Sequence, residues 1–413
     1  MEFFRKFGDE LERKWARSHY DHAVFADLAT DALTRTLPSD HLSPMDVIRW
    51  VHETANLPPQ DHLKDAFGEP PLCVYAGSEF YIEVLFWLEG HTSIHEHSFS
   101  GAFHVLEGSS IQAEYDFHER RKYSDYVATG DLVRKAATHL HKGDVTTIYT
   151  GRPTIHSVFH LDRPTTSVVV RTYSGSTRAP QHAYFRSGLA ADLESITSKT
   201  KKRILTLRLL KRSDNPAFEE MAALFLRTAD ALSTCQFVAE MERDLPLSDL
   251  AALLGPHVDA DLTRTLLATA RTWKRDRWVR PLVHASRDAD RTHFLGLLLT
   301  IGDRDGILKL LGERYPGRDV AKLLVDWTTS LDIHDGDVAP ALDETTRLVL
   351  RHVLEGRSGG ALLERLADDF DAEDVRALAP DLQELEGAIR RSFMFGPLCP
   401  RAGQTSGLVS SSI

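Results

Sequence analysis

Two histidines, His95 and His97, stand one residue apart in the stretch Trp87 to Gly108, WLEGHTSIHEHSFSGAFHVLEG. The segment is rich in strand-forming residues, and alternate side chains of a strand leave the same face, so both imidazoles point to one side of a sheet. A second stretch, Gly143 to His160, GDVTTIYTGRPTIHSVFH, brings His156 after a Gly-Asp turn. Three imidazoles converging on one point, with no cysteine in either stretch, make a metal site the first hypothesis. The plainer account, ordinary histidines of a barrel wall, requires three of them to converge by chance.

The elements that must position these residues follow from periodicity. From Leu72 the pattern is that of strands. Glu79 to Leu88, Ala102 to Leu106, Ile111 to Phe117, Leu132 to Leu140, Val145 to Tyr149, Ile155 to Leu161 and Ser167 to Tyr173 are short runs separated by Gly, Asp or Pro. Seven or more such antiparallel strands make a barrel or sandwich, and a small barrel can hold one ligand. Ahead of them, residues 2 to about 36 carry Phe3, Phe4, Phe7, Leu11, Trp15, Val24, Leu28 and Leu33 at helical spacing. Ser43-Pro44-Met45-Asp46 predicts a capped helix start, with the helix ending before Pro58-Pro59. These helices are expected to pack on the outer surface of the strands.

From about residue 190 the character changes to helical. Ser187-Gly188 and Ser195 to Arg203 read as a linker or exposed helix. Apolar residues then recur at i, i+3, i+4 and i+7 over Ala217–Met241, Leu247–Leu254, Ala260–Trp273, His293–Ile301, Gly306–Leu311, Val320–Leu331, Glu344–Leu354, Gly360–Phe370 and Ala372–Phe393. Gly302-Asp303-Arg304-Asp305-Gly306 fails the spacing of a calcium loop, and Asp305 reads as a helix cap. Trp273-Lys-Arg-Asp-Arg-Trp278-Val-Arg280 reads as a solvated helix end. The small, polar run at 396–413 reads as a disordered tail.

Composition narrows the function. The chain of 413 residues carries 60 acids against 49 bases, a net charge of -11, which argues against nucleic acid as the main partner. Half of its 20 histidines lie between His91 and His182. Three scattered cysteines make no disulfide framework, which points to a reducing cytosol. No stretch reaches the roughly 20 apolar residues of a membrane span, so a soluble cytoplasmic protein without a membrane partner is expected.

Trp87-Leu-Glu-Gly-His91, Ser93-Ile-His95-Glu-His97, the glycine at Gly108, His156 in the second motif and the strand ending in Tyr173 together resemble the cupin superfamily. Within it they are most similar to the cysteine dioxygenase type of thiol dioxygenases, over about residues 70 to 180. The resemblance implies ferrous iron held by His95, His97 and His156, with positions left for substrate and O2. Many metal cupins also carry a glutamate four or five residues after the second histidine. Gly101 and Ala102 stand there in this chain, which leaves a three-histidine site. The cysteine that crosslinks to the family's tyrosine, matched here by Tyr173, is absent from the same region. The family's arginine for the substrate carboxylate has no counterpart in Leu72-Cys-Val-Tyr-Ala76, so cysteine is not the expected substrate.

Strand register suggests what replaces it. If Trp87 faces the pocket, as its match does in the family, Leu85, Glu83 and Tyr81 share its face. Val169, Arg171 and Tyr173 share another. A buried Glu83 either pairs with Arg171 or another base, or awaits a cationic group of the ligand. The expectation is a small-molecule substrate with an amine read by Glu83 and an anionic or carbonyl group read by Arg171 or Tyr173. Tyr173 could also hydrogen-bond an oxygen intermediate. His91 and His104 read as structural, His139 and His141 as solvated at a strand end, and Arg152-Pro153 as a turn.

The resulting expectation is an α+β chain: an N-terminal helical lead-in (1–60), an antiparallel cupin (jelly-roll) barrel with the metal site (70–187) and an all-α C-terminal domain (200–395). Its favoured function is O2-dependent oxidation of a small molecule by non-haem Fe(II). Two rivals stand beside it. One is a redox-silent isomerase or lyase using Zn, Mn or Ni. The other is a non-catalytic ligand-binding or scaffold protein whose helical half meets a protein partner or dimerises.

Overall fold

The structure, a computed structural model, describes residues 1–61, 68–88, 90–173, 180–331, 339–357, 363–364 and 372–400. The helix expected at Gly360–Phe370 and residues 401–413 of the expected tail fall largely or wholly outside these. At the N-terminus, α1 (Glu2–Arg17) and α2 (His22–Arg35) are separated by a turn at His19 and Tyr20. Their φ values of 53° and 55° lie in the left-handed region, yet no glycine or proline marks the break, so helical periodicity reads straight through it. The next helix, α3 (Pro44–Glu53), begins as its sequence predicts. Asp46 N donates to Ser43 Oγ, and Ser43 N donates at 2.9 Å to the Asp46 carboxylate, a reciprocal cap.

Eleven strands follow: β1 (Pro71–Ala76), β2 (Phe80–Trp87), β3 (Ile94–His97), β4 (Gly101–Glu107), β5 (Ser109–Ser124), β6 (Val127–His141), β7 (Val145–Ile148), β8 (Gly151–His160), β9 (Thr165–Thr172), β10 (Ala183–Tyr184) and β11 (Leu189–Ala191). One sheet runs β1-β2-β9-β4-β7, and the other closes on itself as β10-β11-β6-β5-β8-β3. Among β2 to β9 the two sheets therefore alternate as β2-β9-β4-β7 and β3-β8-β5-β6, the double-sheet jelly-roll arrangement that cupins share. The fold is α+β, as expected.

β2 is buried along its whole length because both of its faces are covered. Phe80, Ile82, Val84 and Phe86 join Phe4, Phe7, Leu11, Trp15, Phe25 and Leu33 of α1 and α2 in one apolar cluster. Leu85 and Trp87 belong to a second cluster, with Phe99, Phe103, Val105 and Val169. Each fully buried Phe or Leu of the first cluster contributes about 1.5–3 kcal/mol, which holds the helices to the outside of this sheet. Alternation therefore sends Tyr81, Glu83, Leu85 and Trp87 inward.

Three strand readings need correction. β5 and β6 extend well past Ile111–Phe117 and Leu132–Leu140, pairing as far as Ser124 and Val127. The outer part of this ribbon, Glu119 to Lys122, is exposed, so no apolar alternation announces it. Arg152-Pro153 lies inside β8 rather than in a turn, with Arg152 bonded to Glu119 at 2.5 Å. Ser187-Gly188 is no linker: it turns β10 into β11, and the barrel strands end at Ala191 rather than 187. A Cβ at Gly188 would sit 2.1 Å from Gly130 O, which is why glycine stands there.

From Ser198 onward the named elements are helical. They comprise α4 (Ser198–Arg212), α5 (Phe218–Leu226), α6 (Ala231–Met241), α7 (Leu247–Leu254), α8 (Ala260–Ala285), α9 (Ala289–Thr300), α10 (Arg304–Arg314), α11 (Val320–Thr329), α12 (Glu344–Leu354) and α13 (Ala372–Arg391). Asp303, not Asp305, caps α10, accepting from Gly306 N at 3.0 Å. The tryptophan-rich run 273–280 lies within α8 rather than at a solvated end, and its Lys274 and Arg275 are buried. Gly396–Leu398 forms a helical turn with Leu398 buried, so order extends past residue 395. By compactness the chain divides into two units, Met1–Leu207 with Leu224–Phe237, and Arg208–Ala223 with Val238–Ile413. Among the described residues no helix is long and apolar enough to cross a membrane.

Candidate metal centre

β3 and β8 pair antiparallel with His95 opposite His156, and His97 lies two residues along on the same face of β3. The three side chains are buried, and one ring nitrogen from each lies within 4.8 Å of the others. His97 Nε2 and His156 Nε2 are 2.9 Å apart. Two imidazoles bound at roughly 2.1 Å and at right angles to one another would place their nitrogens roughly 3 Å apart, so this pair already has the spacing of two ligands. His95 Nδ1 faces Ser93 O at 2.8 Å. That contact fixes the N–H on Nδ1 and leaves the Nε2 lone pair for a metal.

Electrostatics agree with the geometry. Burial lowers the pKa of His95, and it holds His97 and His156 well below the ordinary imidazole value, with mutual repulsion adding to the effect. Neutral imidazoles are the form that ligates. Among the described residues no carboxylate joins the cluster, as Gly101 and Ala102 imply. Gly101 faces Arg171 across β4 and β9, and a Cβ there would lie 1.9 Å from Val170 O. The strand pairing thus excludes any side chain at 101, and Ala102 points to the outer, helix-covered cluster.

The histidine cluster opens on a cavity of about 310 Å³ whose lining includes all nine residues singled out from the sequence: Tyr81, Glu83, Leu85, Trp87, His95, His97, His156, Arg171 and Tyr173. Glu83 and Arg171 pair, with Arg171 Nη1 donating to Glu83 Oε1 at 3.2 Å. Burial pushes the Glu83 pKa up and Arg171 pulls it back, the net direction being upward. The guanidinium also lies 3.7 Å from the Phe99 ring centre, while Arg171 Nε is buried without a hydrogen-bond partner. Tyr173 lies against Tyr81, ring centres 5.0 Å apart and planes tilted by 36°, and its hydroxyl donates to Gly77 O at 3.4 Å.

The lining also holds residues that sequence reasoning passed over, among them Phe99, Phe103, His160, Ser167 and Gln181. Two had a signal. His160 follows His156 by four residues on β8 and Ser167 precedes Arg171 by four on β9, so the same period of two places them on the cavity face. His104 is structural, its Nε2 accepting from Ser39 N at 3.2 Å on the outer side of β4.

No family model matches this chain, and no curated protein does. Solved structures do. Hydroquinone 1,2-dioxygenase from Sphingomonas sp. TTNP3, with 4-hydroxybenzoate bound, is 12% identical over 26% of this chain and 68% of its own, at a TM-score of 0.21. A cupin-2 domain containing protein from Shewanella frigidimarina is 13% identical over 32% of this chain and 94% of its own, at a TM-score of 0.19. The 11S globulin from Wrightia tinctoria, which has an auxin binding site, is 10% identical over 44% of this chain and 42% of its own, at a TM-score of 0.22. A dioxygenase and a globulin both stand among these distant likenesses, which say nothing about chemistry. The fold rests on strand pairing, and the site on its own geometry.

Proposed function

We propose that this protein is a mononuclear non-haem Fe(II) oxygenase, of the cysteine dioxygenase-like cupin type, that oxidises a small molecule with O2. The observation that supports the reading is the convergence of three buried imidazoles, with no carboxylate among the described residues beside them, at the wall of a ligand-sized cavity. His95, His97 and His156 would hold the metal, and ferrous iron bound there supplies the activation of O2 beside an oriented substrate.

The chain's own residues bind and orient. Leu85, Phe99, Phe103 and Val169 give the cavity apolar walls that exclude water from the substrate body. Arg171, fixed by Glu83 and Phe99, lines the cavity, where its guanidinium would meet an anionic or carbonyl oxygen of the substrate. A substrate amine would sit against Glu83. Cysteine remains an unfavoured substrate, since β1 supplies no arginine for its carboxylate.

The test is oxygen uptake after anaerobic Fe(II) loading, against amino acids, thiols, amines and aryl or alkyl carboxylates. Uptake stimulated by one class and lost in Arg171→Met, with iron content kept, supports the proposal. Stoichiometric zinc or nickel as isolated, with no uptake by iron-loaded protein, overturns it in favour of redox-silent chemistry. Absence of any metal would leave a binding protein.

A further inference from the structure

The cavity has a second polar end. His160 lies four residues beyond His156 on β8, and Ser167 four residues before Arg171 on β9, so each stands roughly 13 Å along its strand from the metal and arginine end. The two are joined through Trp87. Its ring stacks on the His160 imidazole, centres 4.5 Å apart and planes 17° from parallel, and its Nε1–H donates to Ser167 Oγ at 3.0 Å. Ser167 Oγ is thereby used as an acceptor, and its own hydroxyl hydrogen remains to be given. His160 Nδ1 is bonded to Ser110 Oγ at 2.9 Å, while Nε2 makes no hydrogen bond among the described residues. Gly90 packs on the ring edge, where a Cβ would lie 2.2 Å from Cδ2, and His160 N donates to Gly90 O at 2.7 Å, so the imidazole cannot swing away. Both groups line the cavity, and apolar Leu85, Val158 and Val169 fill the interval to the metal end.

We infer that His160 Nε2 and Ser167 Oγ form a distal subsite, which reads an uncharged hydroxyl or carbonyl group at the far end of an elongated, apolar-bodied substrate. Two observations set that chemistry. Burial pushes the His160 pKa down to about 3, so the imidazole is neutral and offers a hydrogen bond rather than a charge. Among the described residues that line the cavity, the charged side chains, Glu83 and Arg171, stand at the other end, and His91, the titratable group nearest the imidazole, further disfavours its protonation. The inference rests on this cavity being the substrate site, as proposed above, and not on the redox step.

The experiment is anaerobic titration calorimetry on the full chain as isolated, with ω-hydroxyalkanoates against unsubstituted alkanoates of equal heavy-atom count, over a range of chain lengths. At the length that spans from Arg171 to His160, the hydroxy acid is expected to bind about fivefold tighter, the worth of one net hydrogen bond. His160→Phe, which keeps the stacking on Trp87, is expected to bring the ratio to about one without weakening the alkanoate. His160→Gln, which keeps an amide at that point, retains part of the preference. An absent preference in the native chain, an unchanged ratio in His160→Phe, or no binding by either series overturns the subsite. Because no oxygen is present, binding with the expected pattern but no turnover in the uptake assay would sink the oxygenase reading and leave the subsite standing.

Discussion

Removing Arg171 isolates the energetics of the ion pair it makes with Glu83 in the cavity wall. The Glu83 side chain is 5% exposed and that of Arg171 18%, so Arg171→Met strands a carboxylate inside the barrel. Breaking a buried pair from one side costs about 3–5 kcal/mol, and the partial exposure of Arg171 sets this case at about 3 kcal/mol. For a unit of this size that is a fall of about 6–12 °C in the barrel's Tm, read by calorimetry. Glu83→Gln is expected to cost less, about 2 kcal/mol, because Arg171 keeps its contact with Phe99. The double variant is expected to be more stable than the sum of the single ones implies, by about 2 kcal/mol of coupling.

The pH dependence fixes the sign. In the native chain burial already raises the Glu83 pKa above its ordinary 4.5, against the pull of Arg171. In Arg171→Met it rises further. Between about 4.5 and that raised value the folded state binds more protons than the unfolded one, so stability falls as pH rises. The variant's deficit is therefore expected to shrink on acidification from about pH 8 to about pH 5. A deficit below about 1 kcal/mol, or one that grows on acidification, would refute the reasoning.

Two further predictions follow from packing and burial. Gly101→Ala, with its Cβ 1.9 Å from Val170 O, is expected to cost about 3 kcal/mol or to prevent folding; an unaltered Tm would contradict the pairing of β4 with β9. Cys73 is 1% exposed and its thiol is pushed up to about 12 by burial. At about pH 8 roughly one molecule in ten thousand carries the thiolate, so iodoacetamide should leave Cys73 unmodified in the native chain and label it on denaturation, as peptide mass mapping would show.

What the sequence disclosed was what a regular period carries. The alternation along Glu79 to Leu88 placed Glu83 and Trp87 on one face, and β2 has that register. His95 and His97 were legible because one residue of spacing means one face, and His156 because it stands in the strand-like run from Ile155 to Leu161, within β8. Leu247–Leu254 and Glu344–Leu354 end where their apolar stripes end. The failures lie where no period operates. β10 and β11 have two and three residues, too few to alternate, and they are defined by the partners they find on β3 and β6. The break between α1 and α2 carries no glycine or proline, and its sign is the cap residue Asp21, which accepts from Ala23 N at 2.9 Å. The Glu83–Arg171 pair was one of several options, because choosing it required knowing that Glu83 lies across from Val169, two residue pairs from the Tyr81–Arg171 rung and on the same face. His160 and Ser167 were within reach of the same alternation and lacked only a chemical reason to be sought.

The central claim is that His95, His97 and His156 hold one metal ion. Metal content by mass spectrometry of protein purified without added metal, before and after anaerobic Fe(II) loading, tests it most directly when His97→Ala is measured beside the native chain. The account predicts about one iron per loaded native chain and essentially none in the variant, with the variant still folded by circular dichroism. Equal iron in both, or none in either, would contradict it.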